Sequence, residues 1–334
     1  MRAKALNGAG VLAESQGDWD TATRLHQESL EISRQIGDER CVAWSLNNLG
    51  VVAVSQGDYT RAQALLEENL AVAEQADDTA SIATALNDLG LIAHSRHDYG
   101  QATELWTRSL ALFRALGDES HTARTLNNLG TVAMEQGEYE RAQALLAESL
   151  ALLRSVGDRQ GIASTLNNLA ETASSLGDAE TAMGLFRESH SLALEGGNRL
   201  VAAIGMENLA ALTRLQGEEG VAQSRFREAL LLYRSVGDKQ GIASCLSGLA
   251  SAAAGQGRAG EAAVLLGAAS KMCDAQDELA LPGLAEAMSS LRSTMGDQAF
   301  DAAWQSGWAM PIDQIMDQIA AQTRSMTPGL AALL

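Results

Sequence analysis

Leu46-Asn47-Asn48-Leu49-Gly50 returns forty residues later as Leu86-Asn87-Asp88-Leu89-Gly90, then as Leu126-Asn127-Asn128-Leu129-Gly130 and Leu166-Asn167-Asn168-Leu169-Ala170. Weaker copies stand at Leu6-Asn7-Gly8-Ala9-Gly10, Met206-Glu207-Asn208-Leu209-Ala210 and Leu246-Ser247-Gly248-Leu249-Ala250. A fixed period of this length means one supersecondary unit stacked on copies of itself, each burying the face that its neighbour leaves open. The units fall at 1–38, 39–78, 79–118, 119–158, 159–198, 199–238 and 239–278, and residues 279–334 lie outside the period.

Within the second unit, Val42, Ala43, Leu46, Leu49, Gly50 and Ala53 are spaced by threes and fours, which predicts one buried helix face over about 39–55. Gly57 can end that helix at positive φ and Asp58 can cap the next, which runs over about 59–75 with Ala62, Leu65, Leu66, Leu70 and Ala73 inward. Each helix is then about 25 Å long. The turns recur as Gly17-Asp18, Gly37-Asp38, Gly117-Asp118 and Gly177-Asp178. His97 stands where the other units have the turn glycine, so it must accept an unfavourable φ or reshape the turn. The absence of proline before Pro282 fits nearly continuous helix. The opening helix lacks a residue to cap it, which suggests either a piece of a longer protein or a frayed first helix. Beyond the period, Pro282 and Pro311 start helices, and Phe300, Trp304 and Trp308 share one face; these form a helical C-terminal cap over 279–334.

The pattern Leu46-x-Asn48-Leu49-Gly50, Gln56-Gly57-Asp58-Tyr59-x-x-Ala62, Leu66 and Leu70 resembles the tetratricopeptide repeat. The unit is longer than that family's common form and closes with Gly-Asp instead of proline, like the repeats of kinesin light chains and many bacterial regulators. The resemblance implies an all-α, right-handed superhelical solenoid of seven helix-turn-helix repeats, whose first helices line a concave groove for peptides. The stretches 261–269 and 299–307 resemble the C-terminal sensor region of bacterial signal-transduction ATPases and LuxR-type transcriptional regulators. No Gly-x-x-x-x-Gly-Lys-Ser/Thr motif is present, so no ATPase activity is expected of these residues.

The chain has 334 residues and a net charge of −18, which disfavours direct nucleic-acid binding. Cys41, Cys245 and Cys273 are too few and scattered for a disulfide framework, and fit a reducing cytoplasm. No stretch is long and apolar enough to span a membrane.

An amide both donates and accepts, and Asn is a mediocre helix former, so its recurrence on the first helices needs a reason. Two readings stand: Asn47, Asn87, Asn127 and Asn167 clamp a peptide backbone in the groove, or the amides bond each other or neighbouring carbonyls and hold the units in register. Around them the groove is expected to present Trp44, Val51, Val54, Leu91, His94, Arg124, Thr131, Met134, Glu135 and Glu171. Trp44, Val51 and Val54 would form an apolar pocket, and Arg124 would meet an acidic group. His94 and His97 have no evident third ligand, so no metal or cofactor is expected. No nucleophile–base pairing stands out, so no enzyme is expected. The functional expectation is a protein- or peptide-binding scaffold. Its rivals are a sensor working with an N-terminal ATPase module, and self-association through the apolar edge of the first unit.

Overall fold

A computed structural model describes residues 1–272, 284–317 and 319. Cys273 and the helix start at Pro282 lie outside these, as do the side chain of Leu284 and most of the chain beyond 317. The described residues are all-α and divide into two compact units, Met1–Asp158 and Arg159–Leu334.

The first unit holds four antiparallel pairs: α1 (Arg2–Ser15) with α2 (Trp19–Ile36), α3 (Glu39–Ser55) with α4 (Tyr59–Gln75), α5 (Thr79–Ser95) with α6 (Tyr99–Leu116), and α7 (Glu119–Glu135) with α8 (Tyr139–Val156). The second continues as α9 (Arg159–Ser175) with α10 (Ala179–Glu195), α11 (Arg199–Leu215) with α12 (Glu219–Val236), and α13 (Lys239–Gly255) with α14 (Ala259–Met272), followed by α15 (Leu284–Met295) and α16 (Asp297–Ala309). The first helices of neighbouring pairs touch one another, α1 with α3 and α3 with α5, while the second helices make no comparable contact. The odd-numbered helices therefore form the inner row of the first unit, and α9, α11 and α13 form that of the second.

Local chemistry sets the element ends. Gly57 takes φ 76° and Asp58 caps α4 by accepting from the Arg61 N–H at 3.0 Å. Asp18, Asp38, Asp78, Asp98, Asp118, Asp178 and Asp238 do the same for their helices, each cap worth about 1 kcal/mol. His97 adopts φ 61° and keeps the turn's hydrogen bonds, His97 N–H to the His94 carbonyl and Asp98 N–H to that of Ala93. The turn is thus not reshaped; the strain is borne by the backbone. Asp77 does likewise at φ 51°.

Close packing follows a second repeating rule. Gly50, Gly90 and Gly130 each lie against the large side chain sixteen residues on, namely Leu66, Trp106 and Leu146. A serine in the second helix also ties the pair together: Ser29, Ser109 and Ser149 donate to the carbonyls of Ala3, Ala83 and Ala123 at 2.7–2.8 Å, and in the second unit Ser189 donates to that of Ala163. In the second unit, α16 crosses α14 at backbone contact through Gly307 and Gly267, against Val264 and Trp304 respectively. Phe300, Ile315, Met316 and Ile319 are buried there, and Trp304 stacks on the exposed Trp308 at 5.0 Å. The expected shared face of Phe300, Trp304 and Trp308 thus grades from fully buried to solvent.

Candidate peptide-binding face

On α3, Arg40, Trp44, Asn47 and Val51 fall at spacings of four, three and four, so they form one stripe on the inner side of the helix. Trp44 is 43% exposed and Val51 37%. A cavity of about 500 Å³ opens beside Trp44, walled by Lys4 of α1, Arg40, Trp44 and Asn47 of α3, Asn69 of α4 and Thr84 of α5. That volume is typical of a ligand pocket. Val51 and Val54 do not line it. Val54 packs on the buried cluster around Ala53, Leu66 and Ile92, so the expected Trp44–Val51–Val54 pocket does not form.

The asparagines on this face are bonded to the protein itself. Asn69 Nδ2 donates to Asn47 Oδ1 at 3.2 Å, and Asn47 reaches the carboxylate of Asp88. Asn87 Nδ2 donates to Asp88 Oδ1 at 3.1 Å, while Asn87 Oδ1 accepts from Thr125 Oγ1 at 3.3 Å and Asn128 Nδ2 at 3.4 Å. One network thus runs across α3, α4, α5 and α7 and holds their register. Asn127 is half-buried. Asn167, in the second unit, does not face open space: it is 4% exposed and donates to the Val201 carbonyl at 3.2 Å. Its neighbour Gly205 leaves room for it, since a Cβ there would sit 3.0 Å from Asn167 Oδ1.

Two further expectations change. Arg124 is exposed, and the acidic group it faces is the protein's own Asp88. Burial raises the Asp88 pKa above the ordinary carboxylate value, against the opposing pull of Asn87, Arg124, Asn47 and His121. His94 is committed to Glu135, Nε2 to Oε2 at 2.8 Å, and its ring lies 5.8 Å from that of Trp106. Met134 is half-buried.

In the second unit the inner face turns acidic. Glu171 accepts from Asn208 at 2.8 Å, and Glu207 accepts from Tyr233 Oη at 2.6 Å and from Ser244. Burial raises the pKa of both carboxyls; Glu207 adds to the rise at Glu171. Among the described residues no cluster of His, Cys, Asp or Glu suits a metal ion, and no helix is long and apolar enough to cross a membrane.

Sequence reading missed Lys4, Arg40, Asn69 and Thr84. A signal for three of these was present: Asn69 interrupts the row of Ser29, Ser109, Ser149 and Ser189, and Lys4 and Thr84 occupy the position of Trp44 in the neighbouring repeats.

Paired antiparallel helices with an inner row and a polar stripe along it define a helical-repeat scaffold. The chain belongs to the tetratricopeptide repeat family, which matches residues 1–75, 81–155 and 121–195, more than half of its length. No curated protein matches the sequence. Among solved structures, the chain is similar to a signal-transduction ATPase with numerous domains (STAND) and a tetratricopeptide repeat sensor from Pyrococcus horikoshii, at TM-score 0.65 and 16% identity, covering 87% of this chain and 44% of that one. It is similar to NprR in complex with its cognate peptide NprX, at TM-score 0.64 and 13% identity, over 97% and 93% of the two chains. It is also similar to a Rap protein complexed with competence and sporulation factor, at TM-score 0.60 and 11% identity, over 99% of each chain. At these identities the likeness is one of fold.

Proposed function

We propose that the protein is a non-enzymatic, peptide-binding scaffold of seven repeats and a helical C-terminal cap, and that its inner face in the first unit receives the ligand. The observation that carries this is the 500 Å³ cavity at Trp44, where a large aromatic side chain stays 43% exposed beside unpaired polar groups. Exposed aromatics in such settings are the usual anchors of interfaces. The reading is supported by NprR, similar in fold, which holds its cognate peptide NprX, and by a Rap protein that holds competence and sporulation factor. Within the set Asn47, Asn87, Asn127 and Asn167, only Asn47 borders the cavity; we assign the others to register. The test is retention of random peptide pools by wild type and Trp44→Ala, with helicity and melting followed by circular dichroism. Retained peptides should drop at least tenfold in the variant at unchanged melting. Equal retention would remove the site.

A second reading is a sensor region that acts with an ATPase module, favoured by the fold shared with the P. horikoshii protein, of which this chain spans less than half. Genomic sequence flanking the coding region tests it: a phosphate-binding-loop module in frame or adjacent supports it, and its absence removes it.

A further inference from the structure

We propose that the Trp44 cavity selects an acidic–apolar peptide segment, with an internal Asp or Glu side chain held by Lys4 and Arg40 and a large apolar neighbour against the Trp44 indole. This specificity rests on the peptide-scaffold reading and adds the chemistry of the ligand.

Charge is the first argument. The chain carries 42 acidic and 24 basic residues, yet the cavity is lined by two cations and no carboxylate. Elsewhere on the first unit Arg2 pairs with Glu28, Arg34 with Glu68, and Arg114 with Glu148 at 2.6 Å, while Arg24, Arg61 and Arg108, which have no ion pair among the described residues, lie away from the cavity. Lys4 and Arg40 have no ion-pair partner among the described residues, and both are exposed. The nearby Asp78 is already satisfied by Ser81, whose N–H and hydroxyl donate to it at 3.3 and 2.9 Å. A carboxylate entering between Lys4 and Arg40 would meet two cations and no competing carboxylate of the lining, which gives short, charge-assisted hydrogen bonds.

Placement is the second. Lys4, Trp44 and Thr84 are in equivalent positions on α1, α3 and α5, so they line up across three helices, with Arg40 one turn before Trp44. A side chain between Lys4 and Arg40 therefore lies next to the indole, and its chain neighbour falls on it.

The third argument is Asn69. It takes the place of the serine that ties the helix pair in other repeats, is 2% exposed, and leaves its Oδ1 without a hydrogen-bond partner. An unsatisfied buried acceptor costs about 1–3 kcal/mol, and an N–H of a bound peptide supplies the missing donor.

Finally, Val11, Val51 and Leu91 stand two turns further along the same three helices and are 44%, 37% and 38% exposed. This apolar row continues the surface past the cavity, so the ligand chain runs on, and the acidic group belongs to an internal residue.

The experiment uses the full chain, immobilised, and N-acetylated, C-amidated dodecapeptide pools randomised except for a central Glu-Leu, Gln-Leu or Lys-Leu pair. A fourth pool ends in Leu with a free terminal carboxylate. Wild type should retain the Glu-Leu pool at least tenfold over Lys-Leu, and Lys4→Glu/Arg40→Glu should reverse the order. Lys4→Gln/Arg40→Gln should erase it while melting stays unchanged, which separates lost recognition from lost folding. Equal retention of Gln-Leu and Glu-Leu by wild type, or a preference that survives charge reversal, overturns the inference and leaves the scaffold reading intact. Preference for the free-acid pool overturns the internal-residue assignment. No pool retained by any form sinks both.

Discussion

Gly90→Ala puts a repeating packing rule to a direct test. A Cβ at Gly90 would lie 2.5 Å from Trp106 Nε1, 2.7 Å from Cδ1 and 2.8 Å from Cε2. Unstrained carbon contacts are about 3.5–4.0 Å, so the indole must retreat by about 1 Å. It has little room to do so, being 1% exposed and anchored by its Nε1–H, which donates to the Asn87 carbonyl at 2.9 Å. Overpacking costs about 1–3 kcal/mol and the lost hydrogen bond about 1. The better helix propensity of alanine returns up to about 1 kcal/mol. The expected net loss is about 1–3 kcal/mol, a drop of about 2–4 °C in melting temperature per kcal/mol for a unit of this size. Thermal unfolding followed by circular dichroism and indole fluorescence measures it. The double variant Gly90→Ala/Trp106→Phe should recover at least half of the loss, because Ala170 and Phe186, at the same spacing, are both fully buried in the core of the second unit. Gly184→Ala is the control: nothing lies within 4 Å of its Cβ, and it should stabilise by about 0.5–1 kcal/mol. An unchanged or raised melting temperature for Gly90→Ala would refute the steric argument.

Other outcomes follow from the same structure. His97→Gly should stabilise by up to about 1 kcal/mol in urea unfolding, since glycine removes the left-handed strain at φ 61° while the backbone turn stays; destabilisation would show that the 3.1 Å hydrogen bond between His97 Nδ1 and Tyr99 Oη outweighs it. Asp88 has a folded pKa above its unfolded value, so the native state holds that proton to higher pH. Its contribution to stability falls as pH rises from the ordinary carboxylate range through the folded pKa, and stays lost above it. Asp88→Asn should therefore gain stability relative to wild type across that window, measured by urea titrations at pH 4 and 7.5; a relative loss on going up in pH would contradict the assigned burial. Asn167→Ala should cost about 1 kcal/mol by removing its buried hydrogen bond to the Val201 carbonyl, with peptide retention unchanged. Reduced retention at unchanged stability would return Asn167 to the binding face.

Much of the fold was legible because it is written locally. The spacing of Val42, Leu46, Leu49 and Ala53 makes a helix whatever surrounds it, Gly57 and Asp58 end one helix and start another within a single turn, and the forty-residue period repeats both. His97 announced its strain by standing where glycine should. The site was legible only in part. Trp44 and Asn47 were singled out from the sequence, and both border the cavity. Val51, His94 and Arg124 have other surroundings, and Asn87 and Asn167 are held by neighbouring helices.

By itself, the sequence determined the helix pairs, their caps, the close-approach glycines and the family. Those depend on residues within a few positions of each other, or on a repeat that can be counted. Tertiary structure alone decided which amides are spoken for and which cations are free. An asparagine serves equally as a ligand donor or as a register bond, and the difference lies in what the next repeat, forty residues away, places opposite it. Asn87 meets Thr125 and Asn128 across that distance and closes on itself. Among the described residues, Lys4 and Arg40 meet no carboxylate, and there a cavity opens.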